Sequence, residues 1–425
     1  MNYKLRRFKN GLRVLIVPMP SLESATVTVW VKTGSRFEEK KINGISHFLE
    51  HMVFKGSKKR PTAKAISEVV DSIGGEFNAG TSKDWTNFYI KARVGNLETA
   101  FDVLSDMVVN PLLESQEIER EKGTIVQEIA MYEDTPMMKI GDVFEELVFS
   151  GNPLSWDISG DEKSVRSIVR NDFVRYRNIH YHTDNMLVTV AGGVTEKEAI
   201  QLAEKYFNSL APFKGLSFKG LEFQDKQTKP QLKIKTKKAE QAHLILGYTT
   251  KGRNYDNRFS QSVLSAIFGP GMSSRLFIEV RERRGLAYSV RPSFERYDEV
   301  GYFGTYAGVD LKKVDEAIKV ILDQFYGFVA GKYPVKNAEI KKAKEFIKGH
   351  VALSLEDTNA VAGFFGEQEL FLSKVLTPEQ IFKKIDAVTI QDVMSEAKKL
   401  FVPSKLNLAI IGPYKDKEKF LKLLN

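Results

Sequence analysis

Residues 171–193, NDFVRYRNIHYHTDNMLVTVAGG, and residues 391–412, QDVMSEAKKLFVPSKLNLAIIG, decide the fold. Each stretch starts on polar residues that suit a helix N-terminus and ends in an apolar, β-branched strand closed by glycine. The spacing is identical: Asp172 to Gly192 and Asp392 to Gly412 are both 20 residues. A lysine- and glutamate-rich helix follows each strand. A helix–strand–helix unit repeated at this spacing points to a chain of two similar halves.

Working outward, the first half reads as strands at 12–18 and 25–33, helices at 42–54 and 63–73, and strands at 76–80 and 86–94. A helix at 97–109, a long helix at 115–134 and further helix to about 149 follow. Residues 151–168 read as irregular. The second half repeats this order: strands near 231–236 and 242–248, helices near 257–268 and 273–283, and strands near 287–296 and 301–308. A helix at 312–329 and long helices over 335–372 complete it. Pro212, Gly215, Gly220 and several lysines mark a linker. The expected fold class is α+β, with two similar halves, each a largely antiparallel β-sheet with helices packed on it. The expected domains are 1–211 and 230–425, joined by a linker at 212–229.

The 425 residues are 42% hydrophobic and 28% charged, an ordinary globular balance. There is no cysteine, which excludes disulfides and cysteine–metal sites. The net charge of +9 and pI near 9.2 raise nucleic-acid binding. The lysines and arginines are interleaved with 54 acids along the whole chain, which reads as a solvated surface instead. No nucleic-acid partner is expected. Residues 1–9 lack the apolar core of a signal peptide, and no apolar run reaches about 18 residues. A cytoplasmic protein with no membrane association is expected.

Two of the six histidines fall in the 42–54 helix, in the run His47-Phe48-Leu49-Glu50-His51. Four residues apart on a helix, His47 and His51 share a face and offer two nitrogens to one zinc ion. Glu50 projects beside them as a candidate proton acceptor. The order H-x-x-E-H inverts the commoner H-E-x-x-H. A catalytic zinc wants a third protein ligand, and without cysteine that is an acid. The long helix offers Glu119, Glu121, Glu128 and Glu133; Glu121 and Glu128 share a face two turns apart, with Ile125, Val126 and Ile129 marking a core-facing side. The matching second-half helix, Arg258 to Phe268, has no such motif, so one metal site is expected.

HFLEHMVFKG at 47–56, FNAGTSKDWTNFY at 77–89, EREKGTIVQEI at 119–129, YHTDNMLVTVAGGV at 181–194 and GMSSRLFIEVRERRGLAYSV at 271–290 resemble the pitrilysin-type inverted-zinc-motif metallopeptidases. Within them the chain is most similar to mitochondrial processing peptidases and their bacterial relatives. The resemblance implies zinc (Zn2+) as cofactor, His47, His51 and Glu128 as its ligands, and Glu50 as general base. It implies Glu121 as a supporting acid, and Arg281 with Tyr288 as a pair from the second half that assists the oxyanion and substrate. It also implies Asn78 and Ala79 as edge-strand positions that hold a substrate backbone. Ser155 stands where many relatives carry glycine in a Pro-Leu-Gly run, a departure that touches substrate preference and not the metal site.

From the bare residues, Arg281, Arg283 and Arg284 also suit a helix C-terminus, and Tyr288 a core-facing strand position. His180 and His182 read as capping or surface residues. Gly269-Pro270-Gly271 reads as a turn between helices. The expected function is a zinc-dependent endopeptidase hydrolysing unfolded peptides or short protein segments inside a dimeric chamber. The resemblance implies a homodimer in which each zinc faces the partner's Arg–Tyr pair, or else a heterodimer. The alternative is a non-catalytic scaffold subunit of the same fold.

Overall fold

The computed structural model describes residues 1–208, 210, 220–269 and 271–424. Two compact units emerge from its packing. The first comprises Met1–Ala130, Trp156–Leu221 and Leu353–Thr377; the second comprises Met131–Ser155, Glu222–Ala352 and Pro378–Asn425. Neither unit is a single stretch of chain, because each takes a helical segment from the other half of the sequence.

The strands of the first unit are β1 (Lys4–Arg7), β2 (Arg13–Pro18), β3 (Ser24–Val31), β4 (Glu76–Thr81), β5 (Thr86–Arg93) and β6 (Met186–Gly192). They form one sheet in the order β1-β2-β6-β3-β5-β4. The second unit has β7 (Gln231–Thr236), β8 (Gln241–Lys251), β9 (Ala287–Arg296), β10 (Val300–Asp310) and β11 (Asn407–Gly412), in the order β7-β11-β8-β10-β9. Apart from β1 the two orders correspond strand for strand. Each sheet contains one parallel pair, β2 with β6 and β7 with β11, and is otherwise antiparallel. The fold is α+β with two similar halves.

The helices of the first half are α1 (Ile45–Val53), α2 (Ala63–Ser72), α3 (Leu97–Val109), α4 (Ser115–Asp134), α5 (Pro136–Val148), α6 (Glu162–Ser167), α7 (Arg170–His180) and α8 (Glu196–Phe207). Those of the second are α9 (Arg258–Phe268), α10 (Val314–Val329), α11 (Asn337–Ser354), α12 (Thr358–Phe371), α13 (Pro378–Ala387), α14 (Ile390–Leu400) and α15 (Lys417–Leu424). A π-helical segment, Phe277–Glu282, stands where a regular helix was expected. The region 335–372 is two helices, because Asp357 caps α12 through Asn359 N and Ala360 N.

The central strands of the first sheet, β2, β6 and β3, are buried on both faces. Val27, Val29, Val188 and Val190 join a core with Phe48, Phe101 and Phe173 on one side. On the other, Thr26 meets Thr358 of α12 at 2.8 Å, and Arg13 pairs with Glu369 at 3.2 Å. In the second unit α5 plays the matching part, packing Ile140, Val143 and Phe144 against Ile245, Ala409 and Ile411. Each such buried side chain contributes about 2 kcal/mol, so the exchanged helices are integral to the sheets they cover. Residues 211–219 and Pro270 lie outside the described residues; of the expected linker, only 220–229 is described, and it is irregular. Among the described residues no helix is long and apolar enough to cross a membrane.

Candidate metal and active site

Helix α1 starts without a side-chain cap of its own. Its first amides are met from a distance by Glu38, which is buried and accepts from Gly44 N (2.7 Å), Ser46 N (2.8 Å) and Asn43 Nδ2 (2.9 Å). A carboxylate at this end offsets the unsatisfied donors and the positive end of the helix dipole. Burial pushes the Glu38 carboxyl up, against the hydrogen bonds that hold it down. Gly44 has φ +97°, and a Cβ there would stand 2.5 Å from Ser159 O, so glycine is required for the chain to enter the helix.

Helix α1 then presents His47 and His51 one turn apart, while α4 presents Glu121 and Glu128 from one face. His47 Nε2 and His51 Nε2 are 3.2 Å apart. Glu128 Oε1 lies 3.6 Å from His47 Nε2, and its Oε2 lies 3.5 Å from His51 Nε2. Two nitrogens and an oxygen at the corners of a tetrahedron around zinc, at its usual bond lengths, are about 3.4 Å apart. The three side chains therefore fit a zinc ion. Among the described residues they are the group of His and acid side chains close enough to share one metal.

A fourth side chain reaches the His51 ring from behind. Glu121 Oε1 lies 2.9 Å from His51 Nδ1, and Glu121 Oε2 lies 2.6 Å from Lys55 Nζ. That bond presents His51 Nε2 toward the metal position. Burial favours the neutral His51 ring, but the hydrogen bond to Glu121 and the nearby carboxylates outweigh it and raise its pKa. Burial would raise Glu121 too, yet His51 and Lys55 hold it below its ordinary value. His47 is pushed down to about 4 by burial and by His51. Its Nδ1 is buried with no hydrogen-bond partner among the described residues. The two rings are thus held differently: Glu121 bonds Nδ1 of His51, while Nδ1 of His47 has no hydrogen-bond partner among the described residues.

Glu50, on the next turn position of α1, accepts from Thr81 Oγ1 at 2.5 Å. Burial pushes its carboxyl up; Thr81 and His51 oppose this, and Glu128 adds to it. Asn78 and Ala79 lie on β4, which is bonded to β5 on one side and is the edge of its sheet. Asn78 is exposed, and its Oδ1 accepts from Ala79 N at 2.8 Å.

Arg281 and Tyr288 lie in the second unit, and the histidines, Glu50 and Glu128 in the first. Arg281 packs its guanidinium 4.8 Å from the ring centres of both Phe277 and Tyr288. Tyr288 is the second residue of edge strand β9 and is 76% exposed, so it does not face the core. Arg283 and Arg284 both pair with Glu279. Of the other acids on α4, Glu119 pairs with Lys122, and Glu133 with Lys139 and Lys235. His180 is buried, not at the surface: its ring lies tilted against Tyr176 with ring centres 4.4 Å apart.

Sequence reasoning missed Glu38, Lys55 and Thr81. Lys55 had a signal, since it follows His51 by four residues. Thr81 had a weaker one, two positions beyond Ala79 on the same strand. Glu38 had none, because it caps α1 from an irregular segment.

Residues 13–162 match the family model described as insulinase (peptidase family M16), and residues 167–346 match the peptidase M16 inactive domain. A Streptomyces coelicolor protein named an uncharacterized zinc protease is 34% identical over 96% of this chain and 89% of its own length. A Bacillus subtilis protein of the same description is 34% identical over 95% of this chain and 97% of its own. The crystal structure of a protease from Helicobacter pylori superposes with a TM-score of 0.90 at 22% identity, covering 97% of this chain and 99% of that one. A peptidase M16 inactive domain from Pseudomonas fluorescens gives 0.89 at 20% identity, covering 98% and 99%. At those identities the two structures speak for the fold alone. By its sequence matches across both halves, this chain belongs to the M16 peptidase family.

Proposed function

We propose that this protein is a zinc-dependent endopeptidase that hydrolyses unfolded peptides or short protein segments. The observation that carries the reading is the His47–His51–Glu128 set at zinc spacing, with Glu50 alongside. The zinc-protease names of the relatives support the choice of metal. Zinc, when bound, would polarise the scissile carbonyl and make water a nucleophile at neutral pH.

The chain's own groups do the rest. Glu50 takes the water proton on its carboxylate and passes it to the leaving amine. Burial, which raises its affinity for a proton, suits it to both transfers. Glu121 holds His51 with Nε2 turned to the metal position. An extended peptide adds to the open edge of β4 beside Asn78 and Ala79, where backbone bonding gives affinity with little sequence preference. Tyr288 donates to the oxyanion and Arg281 holds a substrate carbonyl, supplied by a second copy of the chain across a dimeric chamber. The exposure of Tyr288 supports a role toward something outside its own core. The complete donor set favours catalysis over the scaffold reading, which would leave no use for Glu50.

Digestion of a mixed library of unstructured peptides, with and without a chelator, tests this. Cleavage that stops on chelation and returns with zinc is expected. No cleavage by zinc-loaded protein would overturn it.

A further inference from the structure

We propose that Thr81 is a positioning residue for Glu50, and that the buried anchor of the β4–β5 hairpin exists to hold it there. The inference rests on Glu50 being the proton acceptor. Thr81 is the last residue of β4, and its hydroxyl donates to Glu50 Oε2 at 2.5 Å. Glu50 Oε1 makes no hydrogen bond among the described residues. A carboxylate turns about its own side-chain bonds. One short bond from a fixed hydroxyl selects one orientation, engaging one oxygen and leaving the other open to receive a proton.

The donor is fixed by more than its strand. The turn after Thr81 closes through Ser82 N to Trp85 O at 2.8 Å. It is then tied to the segment after β3. Ser35 N donates to Ser82 O and Arg36 N to Lys83 O, both at 3.1 Å. Gly34 permits this approach, since a Cβ there would stand 2.1 Å from Ser82 O. Arg36 Nη1 pairs with Asp84 Oδ1 at 3.0 Å, with side chains only 4% and 1% exposed. Lys83 is buried and donates to Trp156 O.

A turn that only joined two strands would need none of this. Burying an ion pair costs desolvation that a solvated turn avoids, and hairpin turns ordinarily use short polar residues at the surface. What the anchored turn fixes is the end of β4, and the side chain there is Thr81. The strand expected to hold the peptide and the orientation of the base are thereby set by one element.

Thr81→Val and Thr81→Ser test this, because valine keeps the shape and serine keeps the hydroxyl. For Thr81→Val the expected result is a kcat lowered about tenfold, the worth of one lost hydrogen bond to a charged group. KM and zinc affinity should stay within about twofold, and Thr81→Ser should retain most of the rate. A crystal structure of metal-free Thr81→Val should show the Glu50 carboxylate turned away from its wild-type orientation. A wild-type kcat in Thr81→Val, an equal loss in Thr81→Ser, or an unmoved Glu50 would overturn the proposal. Glu50→Gln in parallel separates the two ideas. If it cleaves normally, the base assignment fails; if it is inactive while Thr81→Val is normal, only the role of Thr81 fails.

Discussion

Replacing Glu121 by glutamine should weaken zinc binding while leaving the fold intact. In the wild type one carboxylate serves two donors, His51 Nδ1 at 2.9 Å and Lys55 Nζ at 2.6 Å. The amide of Glu121→Gln has one acceptor oxygen. Turned to His51, it presents its NH2 to the Lys55 ammonium; turned to Lys55, it loses the ring. Either way the bond that orients His51 is weakened, and losses behind a ligand histidine typically lower metal affinity 10–100-fold. That is about 1.4–2.7 kcal/mol. Lys55→Met leaves the His51 bond in place and removes only the partner that steadies Glu121, so its loss should be the smaller. Lys55 is partly exposed and can turn its ammonium to water, so unfolding of the metal-free Glu121→Gln protein should shift by only about 1 kcal/mol. Competition for zinc against a chromophoric chelator gives the affinities, and urea unfolding gives the stability. An affinity for Glu121→Gln within twofold of wild type would show that Glu121 does not orient His51, as would a larger loss from Lys55→Met.

Two further outcomes follow from groups outside the metal set. Glu38→Ala removes the acceptor of three donors at the start of α1 and should cost about 3 kcal/mol of stability at about 1 kcal/mol per bond; a change below about 1 kcal/mol in urea unfolding would show that water replaces the cap. His180 is pushed down to about 4 by burial and by His182, from an ordinary value of 6.5. The unfolded chain therefore binds the extra proton between those values, and the histidine's contribution to stability is lost as pH falls through that window. The loss should be about 2 kcal/mol between pH 7 and pH 5, and His180→Gln should flatten the pH dependence by that amount in paired unfolding curves.

The strands that carry the halves are legible because they are buried on both faces and rich in β-branched residues. β6 is a run of seven buried residues, and β11 is its counterpart. β1 was not legible: Lys4–Arg7 is exposed throughout and shows no apolar period. α6 was hidden in a stretch rich in glycine, serine and aspartate, yet its capping box, Asp161 with Ser164, was readable. The exchange of α5 and α12 between units could not be read. Val143 and Phe144 announce an apolar face, but nothing local says which sheet it covers.

The site divides in the same way. His47, His51 and the Glu121–Glu128 face follow from helical spacing, and the choice of Glu128 as third ligand came from resemblance. Two independent helices then bring those side chains together at 3.2–3.6 Å. Glu38 and Thr81 act across 8 and 31 residues of sequence. Their partners are set by how the chain returns on itself, which periodicity does not encode.

Glu50→Gln, assayed for zinc content and for cleavage of an unstructured peptide in the same preparation, separates metal binding from proton transfer. Zinc should be bound as in the wild type and cleavage abolished. Zinc-loaded Glu50→Gln cleaving at the wild-type rate would contradict the role of Glu50 as proton acceptor.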